Sequence, residues 1–257
     1  MPSTPASERT IMRPLKRLLS LFGRRLGVIT HVETSEPAIA LTFDDGPDPE
    51  WTPRILDLLE RHGARATFFM VGAMAERYPD LVDRVTSAGH AIGNHSWNHP
   101  SFPAISGSER ARQIMRCEAV VAAHSQNLFR PPFGDLDWRS HFQLLMKGYR
   151  VIGWNVSTAD WERCDPARIV ADLQRRLKPG SIVLLHDRLF AYSSSDERSR
   201  ESTIAVVDDL LRRHQFRFVT VPELLTLGRP QRRLWSKRSE SGWLRSLESV
   251  SDLGFRY

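Results

Sequence analysis

Asp44 and Asp45 stand side by side in LTFDDGPDP, residues 41 to 49, between an apolar run and a turn. Carboxylates are seldom buried without a partner, so a pair at the end of an apolar run points to chemistry before folding. Further along, HSWNH places His95 and His99 four residues apart. Two imidazoles at that spacing share one side of a helical turn or tight loop and can reach one metal ion. Adding a carboxylate from the first stretch gives two histidines and one acid on one side of a divalent ion. Positions remain open for water and substrate, as a catalytic site needs and a structural one does not. One carboxylate suffices for the ion, which frees its neighbour to accept a proton from the attacking water, whose pKa a metal lowers toward about 7. The competing use of the pair, capping the helix that follows, is better served by Asp48 ahead of Pro49.

Hydrolysis also needs a proton for the leaving group. His186 closes the apolar run IVLL and is a candidate general acid, with Asp160 as the partner that would fix its tautomer and raise its pKa. The alternative for His186 is a core imidazole bonded to a backbone carbonyl. Arg130, ahead of Pro131 and Pro132, is placed either to pair with Asp44 and hold it ionised or to lie on the surface.

The elements that must position these groups follow a regular pattern. From residue 38, short apolar or alternating runs at 38–43, 66–72, 91–96, 128–133, 149–156, 181–187 and 216–221 each precede a helical stretch. Such alternation predicts an α/β fold with a parallel sheet, and seven units in this length suit a closed or nearly closed barrel. Gly63, Gly89, Gly148 and Gly180 fall where helices should stop. In this parsing Asp44, Asp45, His95, His99, Arg130, Asp160, Trp161, His186 and Asp187 all lie at or just past C-terminal strand ends, the rim where barrels keep their chemistry. Substrate choice would lie in the rim loops at 100–108 and 188–200, and SSSDERSR (193–200) reads as an exposed loop.

The chain has 257 residues, 41% hydrophobic and 26% charged, with a net charge of +6. Residues 1–37 hold six Lys/Arg against three Asp/Glu and residues 227–257 seven against three, leaving the centre near neutrality. The basic character therefore belongs to the ends, and no nucleic-acid partner is expected. Cys117 and Cys164 lie far apart with no CxxC spacing, which predicts two free thiols. No stretch approaches a spanning helix and no export signal is evident, so a cytoplasmic location is expected. Residues 11–26 repeat Ile11, Leu15, Leu18, Phe22 and Leu26 among five Arg/Lys, the pattern of an amphipathic helix on an anionic membrane surface, of a helix packed on the barrel, or of a transit peptide. The C-terminal stretch with Trp235 and Trp243 is similarly ambiguous.

TFDDGP, HSWNH, RPPFG, STADW and IVLLHD, in this order, resemble the five motifs of the polysaccharide deacetylases, carbohydrate esterase family four or NodB-type deacetylases, over residues 38–226. The resemblance implies a distorted (β/α)7 barrel removing N-acetyl groups from N-acetylglucosamine-type residues of an oligosaccharide, polysaccharide or glycolipid. It implies one divalent ion, zinc first, with cobalt, nickel, manganese or iron as alternatives. Residues 1–37 and 227–257 would be basic tails, the former a candidate for peripheral membrane contact. The resemblance makes Asp44 the general base and Asp45, His95 and His99 the metal ligands. Arg130 would orient Asp44, and the backbone N–H of Phe133 would help stabilise the oxyanion. Trp161 and Leu184 would line the acetyl-methyl pocket, and His186, supported by Asp160, would protonate the departing amine. Phe133 stands where the family often has Tyr and Ser157 where it often has Asp. An O-acetyl esterase, an N-deformylase and a catalytically silent carbohydrate-binding relative are the alternatives.

Overall fold

The structure is a computed structural model that describes residues 26–162, 165–190, 199–213 and 215–235. Its centre is β2 (Ala38–Asp44), buried along its whole length. Ile39, Leu41 and Phe43 pack under the helices, while Ala38 and Ala40 join a smaller inner cluster. A strand covered on both faces reads as an unbroken apolar run, and the small inner residues suit the narrow interior. On one side of β2 lie β3 (Thr67–Met70), β4 (Ala91–Asn94), β5 (Ser125–Phe129) and β6 (Arg150–Val151) in turn. On the other lie β8 (Ile182–His186) and then β7 (Val156–Ser157), and β9 (Arg217–Phe218) also pairs with β2. Every one of these pairs is parallel, and Asp44 is the register partner of His186. The expected barrel is thus a curled half-barrel of seven strands in a row, with the short β9 added beside β2.

One expected strand, 149–156, is divided. Its first part, β6, pairs with β5 and its last part, β7, pairs with β8, so a single stretch supplies both edges of the sheet. The physical reason lies between them. The carbonyls of Ile152 and Gly153 accept hydrogen bonds from the guanidinium of Arg130, at 3.3 and 2.9 Å, while Ile152 bridges to Ile29.

The helices cover the outside: α1 (Trp51–Arg61), α2 (Gly72–Arg77), α3 (Pro79–Ser87), α4 (Gly107–Val121), α5 (Trp138–Met146), α6 (Pro166–Arg176), α7 (Glu201–Arg213) and α8 (Val221–Leu224). Ile55, Leu56, Leu58 and Leu59 of α1 face the core cluster. Asp48 Oδ1 accepts the N–H groups of Glu50 and Trp51 ahead of α1, as expected of it. Asp137 and Ser140 cap each other at the start of α5. The four expected glycine stops have positive φ, from +59° to +83°. At Gly180 a Cβ would lie 1.7 Å from the Val32 carbonyl oxygen, so no other residue fits.

Two strands lie beyond the seven units. β1 (Val28–Glu33) pairs antiparallel with β10 (Arg229–Arg233), and Ile29 and Val32 of β1 join the inner cluster. Cys117 is a buried free thiol. No helix among the described residues is long and apolar enough to cross a membrane. Residues 11–25 of the amphipathic stretch, residues 236–257 with Trp243, Cys164, and residues 193–198 of the serine-rich loop lie outside the described residues.

Candidate active site

Adjacent residues of a strand point to opposite faces, so Asp44 and Asp45 can share a pocket only if the chain turns between them. It does. Asp44 ends β2 facing inward, and Asp45 takes φ +77° in the left-handed region. The result is that His95 Nε2 lies 3.2 Å from Asp45 Oδ1 and 3.9 Å from Asp44 Oδ2. The turn is held by Asp187, whose Oδ1 accepts the Gly46 N–H at 3.1 Å and whose Oδ2 accepts Thr52 Oγ1 at 2.5 Å. A Cβ on Gly46 would meet Asp187 Oδ2 at 2.1 Å.

Asp45, His95 and His99 form a buried group whose candidate ligand atoms all lie within 4.8 Å of one another. His95 Nδ1 is 2.7 Å from the Arg130 carbonyl, an acceptor only, so Nδ1 carries the proton and Nε2 presents a lone pair. That lone pair faces Asp45 Oδ1, which is buried and receives no hydrogen bond, and His99 Nε2 lies 3.1 Å from the same oxygen. Lone pairs aimed at one point repel unless a cation separates them. Ligand atoms about 2.1 Å from a tetrahedral ion are about 3.4 Å apart, close to these spacings, so the residues fit a divalent ion. Phe190 N–H donates to Asp45 Oδ2 at 3.1 Å. The His99 ring is wedged between Phe133, at 4.4 Å, and Phe190, at 5.5 Å. HSWNH forms a tight loop, with positive φ at Ser96 and His99, rather than a helical turn.

The other half of the rim is an ion pair. His186 Nδ1 lies 2.8 Å from Asp160 Oδ1, which leaves Nε2 for the pocket. Burial pulls the His186 pKa down, and Asp160 pushes it up more strongly, to about 9. Asp160 Oδ2 accepts the His186 N–H and Thr203 Oγ1, each at 2.9 Å, while Arg200 donates to the Asp160 carbonyl at 2.8 Å. Burial raises the Asp160 pKa, and His186 and then Arg200 lower it further than that. Trp161 meets His186 edge-on, ring centres 5.5 Å apart.

Arg130 is wholly buried, which excludes the surface alternative. Its Nη1 donates to Asp44 Oδ1 at 2.7 Å and to Thr42 Oγ1 at 2.8 Å, and its guanidinium lies 4.1 Å over the Phe69 ring. Leu184 is buried and shares the inward face of β8 with Ile182 and His186, while Val183 and Leu185 pack outward. Phe133 has φ +57° in the turn after β5. All ten residues singled out in the sequence therefore lie at the mouth of one sheet. Sequence reasoning missed Thr42, Thr203, Phe190 and Arg200, and placed Asp187 at a strand end without giving it a role. Arg200 in particular corrects the reading of 193–200 as exposed, because it is 4% exposed and bound to Asp160.

A family profile described as polysaccharide deacetylase matches residues 31–152. A peptidoglycan-N-acetylglucosamine deacetylase of Bacillus cereus is 32% identical over 200 residues, 76% of this chain and 70% of that protein. A chitooligosaccharide deacetylase of Azorhizobium caulinodans is 34% identical over 168 residues, 63% of this chain and 79% of that one. Among solved structures, a peptidoglycan N-acetylglucosamine deacetylase in complex with 4-naphthalen-1-yl-N-oxidanyl-benzamide matches with a TM-score of 0.72 and 28% identity, covering 82% of this chain and 98% of that chain.

Proposed function

Because this chain belongs to the polysaccharide deacetylase family, we propose that it removes N-acetyl groups from N-acetylglucosamine residues of a peptidoglycan-type or chitooligosaccharide-type glycan or glycolipid, with one divalent ion, zinc first. The observation that carries this is the pocket in which the unprotonated Nε2 of His95 and the undonated oxygen of Asp45 converge beside Asp44.

Asp45, His95 and His99 would hold the ion. Bound there, it supplies a Lewis acid that makes water a nucleophile near neutral pH and polarises the amide carbonyl. Asp44, fixed by Arg130, takes the proton from the attacking water. The Phe133 backbone N–H donates to the developing oxyanion. Trp161 and Leu184 frame the acetyl methyl group and keep the pocket narrow. His186, with Nδ1 committed to Asp160, gives the Nε2 proton to the departing amine, and its pKa near 9 keeps it charged at neutral pH. A peripheral membrane contact through residues 11–26 belongs to the same reading.

The test is acetate release from acetylated chitooligosaccharides and peptidoglycan fragments with zinc added. Asp44→Asn and His186→Ala should each abolish most turnover while the protein still binds metal. Undiminished release from either variant would refute the assigned roles, and formate in place of acetate would reassign the acyl group.

A further inference from the structure

Among the described residues, six large apolar side chains are exposed: Leu26, Met115, Trp138, Phe142, Met146 and Leu234. Three of them lie on one helix, α5, and two others adjoin residues bonded to it or just before it. Trp138, Phe142 and Met146, at 75%, 53% and 60% exposure, repeat every fourth residue and make a stripe along α5. Leu26 precedes Gly27, whose N–H donates to His141 of α5 at 3.2 Å. Leu234 precedes Trp235, whose indole N–H donates to the Gly134 carbonyl at 2.8 Å, four residues before the stripe begins. Single exposed apolar residues are ordinary, but a stripe of three along one helix marks a contact surface.

The charge around the stripe selects the partner. From Trp138 to Arg150 the chain carries Arg139, Lys147 and Arg150 and no acidic residue. Asp137, just before it, is committed to capping α5. Arg232 and Arg233 border the same side, Arg232 donating to the Gly27 carbonyl. The described chain also enters and leaves here, at Leu26 and Trp235, and residues 1–25 hold six Lys/Arg against one acidic residue. Laying that stretch on α5, or facing two copies of α5 together, would bring basic groups against basic groups. An anionic surface is the partner that suits both.

We infer that the exposed face of α5, with its flanking arginines and lysine, docks on an anionic lipid bilayer, the apolar stripe entering the headgroup region and the basic groups meeting lipid phosphates. This rests on α5 and the β1–β10 ribbon, independently of how residues 11–26 are read.

The test is co-sedimentation of the full chain with vesicles of phosphatidylcholine containing roughly a third phosphatidylglycerol, and with phosphatidylcholine alone. Binding is expected only to the anionic vesicles and should fall away at about 0.5 M salt. Trp138→Ser with Phe142→Ser should weaken it about tenfold, and Arg139→Glu with Lys147→Glu by a similar factor. Unchanged melting temperatures would certify the fold of these variants, and Met146→Ser replaces any that fails. Wild-type sedimentation of the folded variants would overturn the proposal. So would a dimer that the Trp138/Phe142 variant splits while vesicle binding is unaltered. Loss of binding on removal of residues 1–25, with the α5 variants still binding normally, would leave the contact to that segment and refute α5.

Discussion

Asp160 and Asp45 are buried carboxylates at the mouth of one sheet, and the chain treats them in opposite ways. Asp160 receives a backbone N–H, a hydroxyl and an imidazole, and Arg200 binds its carbonyl. Asp45 receives one N–H on Oδ2, while Oδ1 faces two ring nitrogens and accepts nothing. His186 has its second nitrogen fixed by a carboxylate, whereas His99 Nδ1 is buried without a hydrogen-bond partner, its ring held by two phenylalanines. Where the protein supplies every partner, the group is complete as folded and serves to tune a proton. Where it withholds one, it keeps a place for something that arrives.

The largest effect should come from the incomplete half. Asp45→Asn should lower divalent-ion occupancy and cut turnover about a thousandfold or more, several kcal/mol of transition-state stabilisation. With metal removed from both, the variant should melt within about 1 kcal/mol of wild type, because Oδ1 has no donor to lose. Elemental analysis and calorimetry would read both, and full occupancy in the variant would erase the contrast between the halves. Next, His186→Ala should cost turnover about a hundred- to ten-thousandfold with ion content unchanged. Metal loss in that variant would mean the halves are not separable.

Asp160→Asn sharpens the comparison through pH. His186 is raised from 6.5 to about 9 in the folded protein, so the stabilisation from its pairing is fully present below about 6.5 and disappears as pH rises through about 9. Wild-type turnover should likewise fall above about pH 9, and the asparagine variant should bring that alkaline limb down toward the ordinary histidine value of about 6.5. A limb that stays in place would show that Asp160 does not set the acid. The smallest effect belongs to Thr203→Val, which removes one of several donors to Asp160 and should cost about 1 kcal/mol in thermal unfolding.

The strand ends were legible because apolar runs closed by turn residues are local signals, and the histidine pair announced itself by spacing. What the sequence could not display is contact across long separations. Thr203 and Arg200 reach Asp160 from about forty residues away, and an arginine among serines reads as solvated. The division of the stretch at 149–156 follows from Arg130 drawing in the carbonyls of Ile152 and Gly153. The ribbon of β1 and β10 joins segments about two hundred residues apart, and RPQRR reads as a basic tail until its partner is seen. The separate aims of Asp44 and Asp45 depend on a positive φ at Asp45, which the turn residues after it only hinted at.

The register of β2 against β8 places Asp44 opposite His186. Neighbouring strands lie about 4.8 Å apart, and registered residues of a parallel pair project to the same side. In the proposed reaction, the distance from proton acceptor to proton donor would therefore be measured in backbone, by a ladder of hydrogen bonds indifferent to the glycan bound. Loops around such a ruler can change without altering the spacing between the two groups.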